Sequence, residues 1–323
     1  MPAATIIPTF GQGGNRVANI EATAHLPRRQ HLVAPSHLAG WLTDPQAPAY
    51  RLFEVGFGAL PAFLADHIPG AAYIDTGELE TAPLWNKVSD AALTALLLRH
   101  GIRHDSTVIL YGRNNLAAAR AAHLMLYAGV ADVRLLDGGF TAWLALGLPC
   151  AAGAGPVHPA ANDFGVPVPR HPAYLLDMAQ VRRLQQADAA ALVSVRTWNE
   201  YIGNTSGYLY IAARGDIPGA LWGRTFVDDD VNSMSEFHTP AGAMAAPVDI
   251  LRIWHAAEVD ASRHTVFYCG TGWRASLAFF YAWLMGWEDI SVFDGGWCEW
   301  SRDPANPVVC RIADDATISR PAR

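Results

Sequence analysis

The chain has 323 residues, a net charge of −7, and 51% hydrophobic against 16% charged content. That is apolar material for two domain cores of ordinary size, and the acidic balance argues against a nonspecific nucleic-acid surface. No run of about 18 apolar residues occurs, so no membrane-spanning helix and no membrane partner are expected. Four cysteines do not make a disulfide framework in a chain of this length. No Cys-x-x-Cys pair or His-rich spacing points to a metal, and no cofactor is expected. The stretch from Met1 to Pro8 lacks the basic start and long apolar core of a secretory signal, so a cytoplasmic location is expected.

Residues 1–30 are rich in Gly, Pro, Asn and small side chains and read as a flexible tail. Residues 34–42 read as a helix capped by Ser36. Arg51 to Val55 is a strand. His67-Ile68-Pro69-Gly70-Ala71 turns into a second strand over 72–75. Residues 89–100 form an amphipathic helix with Ser89 as N-cap. A strand over 107–111, an Ala-rich helix over 116–127 and a strand over 133–136 follow. Asp137-Gly138-Gly139 then leads into a short helix through Trp143. Alternating strands and helices predict an α/β fold, a parallel sheet with helices on both faces. Six prolines between Pro149 and Pro172 mark an interdomain linker, placed at 151–172.

The same order then recurs. Leu175-Leu176-Asp177 leads into a helix to about Ala187, and a strand over 191–195 ends at Arg196. Asp216-Ile217-Pro218-Gly219-Ala220 repeats the earlier Ile-Pro-Gly-Ala turn. A helix over 248–256, a strand over 265–268, a second helix and Asp294-Gly295-Gly296 complete the copy. Part of the repeat is ungapped. An offset of 157 carries Tyr111 to Tyr268, Gly129 to Gly286, Asp137-Gly138-Gly139 to Asp294-Gly295-Gly296, and Trp143 to Trp300. Two tandem domains of one fold are therefore expected, at 31–150 and 173–323. The offset also carries Gly112 onto Cys269, so the first copy lacks a thiol where the second has one.

Cys269-Gly270-Thr271-Gly272-Trp273-Arg274 lies where a buried strand ends and a glycine-bearing loop enters a helix. Backbone N–H groups of such a loop and the helix N-terminus make an anion site. With Arg274 nearby, both favour a thiolate, which makes Cys269 a candidate nucleophile. Three chemistries could use this loop. Phosphatases and arsenate reductases need Cys-x5-Arg, but here the arginine comes one residue early and Ala275 stands in its place. Gly270-x-Gly272-x-x-Ala275 loosely matches a dinucleotide fingerprint, yet only 29 residues follow Asp294, too few for the rest of such a sheet. A loop this short suits a smaller group, one extra sulfur atom, and sulfur transfer through a Cys269 persulfide is the favoured reading.

Two tandem α/β copies, the Ile-Pro-Gly-Ala turn and the six-residue Cys loop resemble the rhodanese sulfurtransferases over roughly residues 32–310. Cys-Gly-Thr-Gly-Trp-Arg resembles the loop of a bacterial thiosulfate sulfurtransferase subgroup. That subgroup shares Pro-Leu-Trp-Asn-Lys-Val-Ser-Asp, here 83–90, and Glu-Tyr-Ile-Gly-x-Thr-Ser-Gly-Tyr, here 200–208. Some of its members carry a further domain and an export signal ahead of these two, and the short tail is expected to be what remains of that extension. The resemblance implies transfer of sulfane sulfur from thiosulfate to cyanide or a thiol, with Cys269 as nucleophile and Gly270, Thr271, Gly272, Trp273 and Arg274 around the substrate. It also implies a substrate-binding arginine at Arg196, whose structural alternative is an ion pair with Glu200. The partners implied are a small-molecule sulfur donor and acceptor, with a protein donor or acceptor as a further option. The alternatives are a persulfide carrier loaded by a partner desulfurase and a mercaptopyruvate sulfurtransferase. Well-studied thiosulfate and mercaptopyruvate enzymes have Lys or Ser inside this loop, so Gly-Thr-Gly-Trp is a departure.

Other residues carry plainer expectations. Cys298 is expected to be a packed thiol rather than a partner in resolving a persulfide, and Cys150 and Cys310 to be incidental. His238 is expected to be structural. Asp228-Asp229-Asp230 is expected to be a solvated loop or cap rather than a metal cluster.

Overall fold

The computed structural model describes residues 26–224 and 229–312. Most of the expected tail, along with Asp228, lies outside them. The first half contains β1 (Leu32–Val33), β2 (Arg51–Gly56), β3 (Ala71–Asp75), a small antiparallel pair β4 (Glu80–Thr81) and β5 (Asn86–Lys87), β6 (Thr107–Tyr111) and β7 (Asp132–Leu136). The second contains β8 (Leu175–Leu176), β9 (Ala191–Ser194), β10 (Leu221–Trp222), β11 (Thr265–Tyr268) and β12 (Ile290–Phe293). Two parallel five-stranded sheets result, in the orders β1-β7-β6-β2-β3 and β10-β9-β11-β12-β8. Reversed, the second order is the first with each strand replaced by its counterpart. The central strands are buried along nearly their whole length, as their continuous apolar sequences require of a sheet covered on both faces.

The helices of the first half are α1 (Pro35–Thr43), α2 (Leu60–Ala65), α3 (Asp90–Arg99), α4 (Asn115–Ala128) and α5 (Gly139–Ala145). Those of the second are α6 (Met178–Gln186), α7 (Trp198–Ile202), α8 (Pro247–Ala256), α9 (Trp273–Leu284) and α10 (Gly296–Trp300). Among the described residues, no helix is long and apolar enough to cross a membrane.

The two halves meet through α4 and α9. Leu116 to Ala128 and Arg274 to Leu284 are buried on every side, and one apolar core runs through both sheets. The run of alanines in α4 lets the helices approach closely, and the His123 ring meets Phe279 edge-on at 4.7 Å. The two Asp-Gly-Gly turns exchange contacts across this interface. Asp137 accepts a hydrogen bond from the backbone N–H of Met244 at 2.7 Å, and Asp294 accepts one from Lys87 at 3.0 Å. Entry of the chain is fixed to the second half: the Arg28 guanidinium and backbone N–H donate to the carbonyls of Trp283 and Leu284 at the end of α9.

Several expectations change. Pro35, not Ser36, sets the start of α1: it occupies the first helical turn, Ala34 is the N-cap, and no side-chain cap forms. Ser89 does cap α3, accepting from Ala92 N–H. Leu175–Leu176 is an edge strand, and α6 begins after Asp177, which closes a capping box with Gln180. The segment expected to be a linker, 151–172, runs along the first half, with backbone bonds from Ala161 to Leu98, His104 to Phe164 and Arg170 to Ala128.

Candidate active site

Cys269 follows directly on β11 and is 1% exposed. Its Sγ accepts a hydrogen bond from the Gly272 N–H at 3.2 Å. Gly272 is the N-cap of α9 at φ 103, a left-handed geometry that glycine takes without strain, so the chain passes from strand to helix in four residues. The carbonyls of Cys269 and Gly270 accept from the N–H groups of Trp297 and Cys298 at 2.8 and 3.0 Å. Because trans peptides set N–H opposite C=O, these bonds turn the Gly270 and Thr271 N–H groups away from α10. Gly270 itself is required by packing: a Cβ there would lie 2.3 Å from the Tyr208 ring.

Arg274 is buried at the first turn of α9. Glu200 of α7 grips it with both carboxylate oxygens at 2.9 and 3.1 Å, and its Nη2 also donates to the Tyr208 hydroxyl at 2.6 Å. Burial pushes the Glu200 carboxyl up, but the guanidiniums of Arg274 and Arg196 hold it down at about 2. A fully paired carboxylate of this kind is the arrangement in which buried charge is tolerable.

A cavity of about 190 Å³ opens over Cys269 between the two halves. The second half contributes Cys269, Thr271, Trp273, Arg274, Tyr208 and Tyr210; the first contributes Phe57, Glu80, Trp85 and Leu116. Trp85 lies between Phe57 and Tyr210, with ring centroids 5.5 and 6.3 Å away. Trp273 is both a wall of this cavity and a tie between domains: its indole N–H donates to Glu80 at 2.5 Å. Glu80 accepts also from Arg120 at 3.1 Å, and Arg120 reaches on to Asp294 at 2.5 Å. Burial raises the Glu80 carboxyl to about 7, against the pull of Arg120.

Arg196 is not brought to the cavity. It is fully buried, over the Trp297 ring at 4.9 Å, with Glu200 at 3.2 Å, Asp216 at 3.4 Å and the Gly215 carbonyl at 2.7 Å as partners. The ion pair with Glu200 is thus formed, and the guanidinium facing the cavity is that of Arg274. Cys298 is buried in α10, and burial raises its thiol. His238 bonds the Tyr281 hydroxyl at 2.9 Å. Asp229 accepts from the Asn199 side chain, and Asp230 caps a turn at Asn232. Among the described residues, no group of three or more His, Cys, Asp or Glu could hold a metal ion.

Sequence reasoning missed Glu80, Tyr208 and Tyr210 as walls, and Glu200 as the partner that fixes Arg274. A signal was present: Trp85 and Lys87 fall in the 83–90 motif, and Glu200 and Tyr208 are the two ends of the 200–208 motif.

In the first half, the Tyr111-Gly112 corner sits where Cys269 sits in the second. Phe140 N–H donates to the Gly112 carbonyl at 3.0 Å, as Trp297 N–H does to Cys269. A Cβ on Gly112 would lie 2.5 Å from the Asn114 carbonyl oxygen and 2.9 Å from that of Val55. The loop has closed over the place a thiol would need.

Comparison with known proteins agrees with this architecture. The rhodanese-like domain model matches twice, over residues 49–146 and 177–303. The thiosulfate sulfurtransferase YnjE of Escherichia coli is 51% identical over 292 residues, 88% of this chain. The chain spans 66% of the length of YnjE. The crystal structure of YnjE superposes with a TM-score of 0.83, covering 88% of this chain and 69% of that one. A thiosulfate sulfurtransferase of Corynebacterium glutamicum is 30% identical, covering 84% of this chain and 88% of that one. The anaerobic ergothioneine biosynthesis enzyme of Chlorobium limicola, solved with its natural substrate trimethyl histidine, is 35% identical with a TM-score of 0.82, covering 88% and 71%. With two matched domains, each built on its own parallel sheet, the chain belongs to the rhodanese family.

Proposed function

We propose that this protein is a thiosulfate sulfurtransferase working through a persulfide on Cys269, and that its six-residue loop puts it in the subgroup recognised by Cys-Gly-Thr-Gly-Trp-Arg. The observation that carries the reading is Cys269 at the base of an interdomain cavity, its sulfur held by the Gly272 N–H at the start of α9. The Cys269 thiolate attacks the outer sulfur of thiosulfate. The S–S bond of thiosulfate breaks, and sulfite leaves with the electron pair. The persulfide then gives its terminal sulfur to cyanide, forming thiocyanate, or to a thiol, and the thiolate is restored. The Arg274 guanidinium offers the incoming dianion a charge-assisted partner, without which its desolvation would be costly. Gly270, Thr271 and Gly272 supply the backbone cradle. Arg196 acts through Glu200 rather than on substrate.

Under this reading the chemistry belongs to the second domain, roughly 173–323, and the first closes the cavity without a nucleophile of its own. All four cysteines are free, which fits a reducing compartment, and a cytoplasmic location is part of the proposal. Steady-state turnover of thiosulfate and cyanide, lost in Cys269→Ser, tests the assignment.

One observation favours an organic acceptor over cyanide in the cell. Phe57, Trp85, Tyr208, Tyr210 and Trp273 make the walls largely aromatic, more than a small anion requires. The relative that binds trimethyl histidine supports an organic acceptor here too. A low-molecular-weight thiol or heteroaromatic that outcompetes cyanide for the persulfide would establish it; a persulfide passed on only to a partner protein would favour a carrier.

A further inference from the structure

The antiparallel pair β4–β5 brings two residues of the first domain to the Cys269 cavity: Glu80 from β4, and Trp85 from the last loop position before β5. Glu80 serves the tie to Trp273. Trp85 has no such task, and three observations set it apart.

Its backbone lies at φ 62, in the left-handed region. The Trp85 N–H donates to the Thr81 carbonyl at 2.8 Å, so this conformation closes the four-residue loop between the strands. Glycine takes it at little cost, whereas a bulky aromatic residue there is an outlier of the kind that gathers at ligand sites. The ring, moreover, is not buried in exchange. Trp85 is half-buried and belongs to none of the three apolar cores. Its polar edge is also unused. The indoles of Trp143, Trp297 and Trp300 each donate to a backbone carbonyl, but among the described residues none accepts from Trp85.

The ring instead meets Phe57 edge-on at 5.5 Å and Tyr210 at 6.3 Å, side chains that are themselves 58% and 47% exposed. Phe57 and Trp85 come from one domain and Tyr210 from the other, so the three rings rim the exposed side of the cavity that holds Cys269. Tyr210 is within charge range of the reacting sulfur: burial, with a Cys269 thiolate nearby, pushes its hydroxyl up to about 12. Thiosulfate needs the Arg274 cation and the loop N–H groups, and a rim of rings gives a small dianion nothing. A flat unsaturated molecule, by contrast, gains stacking and edge-to-face contact there.

We propose that Trp85 selects the sulfur acceptor, its ring serving as the stacking wall for a flat aromatic thiol. This rests on the persulfide reading above. With its ring against Trp85, the acceptor's thiolate attacks the terminal sulfur of the persulfide. A new S–S bond forms on the acceptor, the Cys269–sulfur bond breaks, and its electron pair returns to Cys269 Sγ. Reactant and product each hold one persulfide and one thiolate, so no oxidant or reductant is needed. The first domain thereby supplies acceptor specificity while the second supplies the nucleophile.

The test uses the full chain with thiosulfate as donor and three acceptors: benzyl mercaptan, its saturated counterpart cyclohexylmethanethiol, and cyanide, which is too small to need a stacking wall. Persulfide formation is verified first by mass, so that failure of the sulfurtransferase reading is seen separately. The unmodified protein should show a lower KM for benzyl mercaptan than for cyclohexylmethanethiol. Trp85→Gly, which suits the left-handed backbone, should raise the benzyl mercaptan KM roughly tenfold and erase that preference. Cyanide turnover and persulfide loading should stay unchanged. Trp85→Leu, which keeps bulk without a π face, should erase the preference too, and Trp85→Phe should retain most of it. The assignment is overturned if the preference is missing from the unmodified protein or survives in Trp85→Gly and Trp85→Leu. It is equally overturned if these variants weaken all three acceptors alike, which is what a merely structural ring would do.

Discussion

Glu200 holds Arg274 in a two-point grip, 2.9 and 3.1 Å, from a helix 74 residues earlier in the chain. Through it, the Arg274 guanidinium, which lines the Cys269 cavity, is fixed in direction. Arg196 braces the other side of the same carboxylate. Removing one member of such a buried set leaves the others unpaired, which typically costs about 3–5 kcal/mol. Glu200→Gln should therefore lower the denaturant midpoint markedly and weaken thiosulfate turnover in whatever protein remains folded. A variant with wild-type stability would contradict the network.

The two arginines should separate in kinetics. Arg274→Lys keeps the charge but loses the planar fork, and should raise the thiosulfate KM by roughly tenfold or more. Arg196→Lys should act mainly on stability, because Arg196 is fully buried among Glu200, Asp216 and Trp297. A raised KM at unchanged melting temperature in Arg196→Lys would instead make Arg196 a substrate ligand.

Restoring a cysteine to the first domain should fail. Gly112→Cys, placed in the Cys269→Ser background, should acquire no sulfur from thiosulfate and should unfold more readily. Its Cβ would meet the Asn114 and Val55 carbonyls at 2.5 and 2.9 Å. Sulfur on the introduced thiol, detected by mass, would show that the loop can reopen.

Acid should loosen the domain interface. Burial, aided by Arg120, lowers His123 to about 3, and burial lowers His238 to about 4. Both are neutral in the folded protein at pH values where the unfolded chain, near 6.5, takes up protons. The stability these two histidines contribute should thus be full above about pH 6.5 and fall as pH drops toward 4, by up to about 1.4 kcal/mol per pH unit for His123 alone, while Glu80, raised to about 7 at the same interface, takes up its proton in the folded protein first and offsets part of that loss. His123→Gln, which keeps a donor for the Tyr174 carbonyl, should flatten that slope by about one proton. Denaturant titrations from pH 7 to 4 read it directly.

The α/β repeat was legible because it rests on local patterns. Buried parallel strands such as Thr107–Tyr111 are continuous apolar runs, and Asp-Gly-Gly marks the same turn twice. The position of Cys269, the candidate nucleophile, was legible because a strand followed by a glycine turn and a helix is a local pattern. The short edge strands Leu32–Val33 and Leu175–Leu176 were not, since two residues carry no periodicity. Nor were the partners of the loop. Glu200, Tyr208 and Glu80 reach it only through tertiary packing, across 66 residues or more of sequence. Arg196 shows the limit in reverse: it follows β9 by two residues, close to where the sequence puts the strand end, but which way its guanidinium turns is decided by Glu200 and Asp216.

The central claim is the Cys269 persulfide, and intact mass tests it most directly. The purified protein is weighed after thiosulfate, then after cyanide, beside Cys269→Ser. The account predicts a gain of one sulfur atom that cyanide removes and that the variant never acquires. No gain with thiosulfate, or an equal gain in Cys269→Ser, would contradict it.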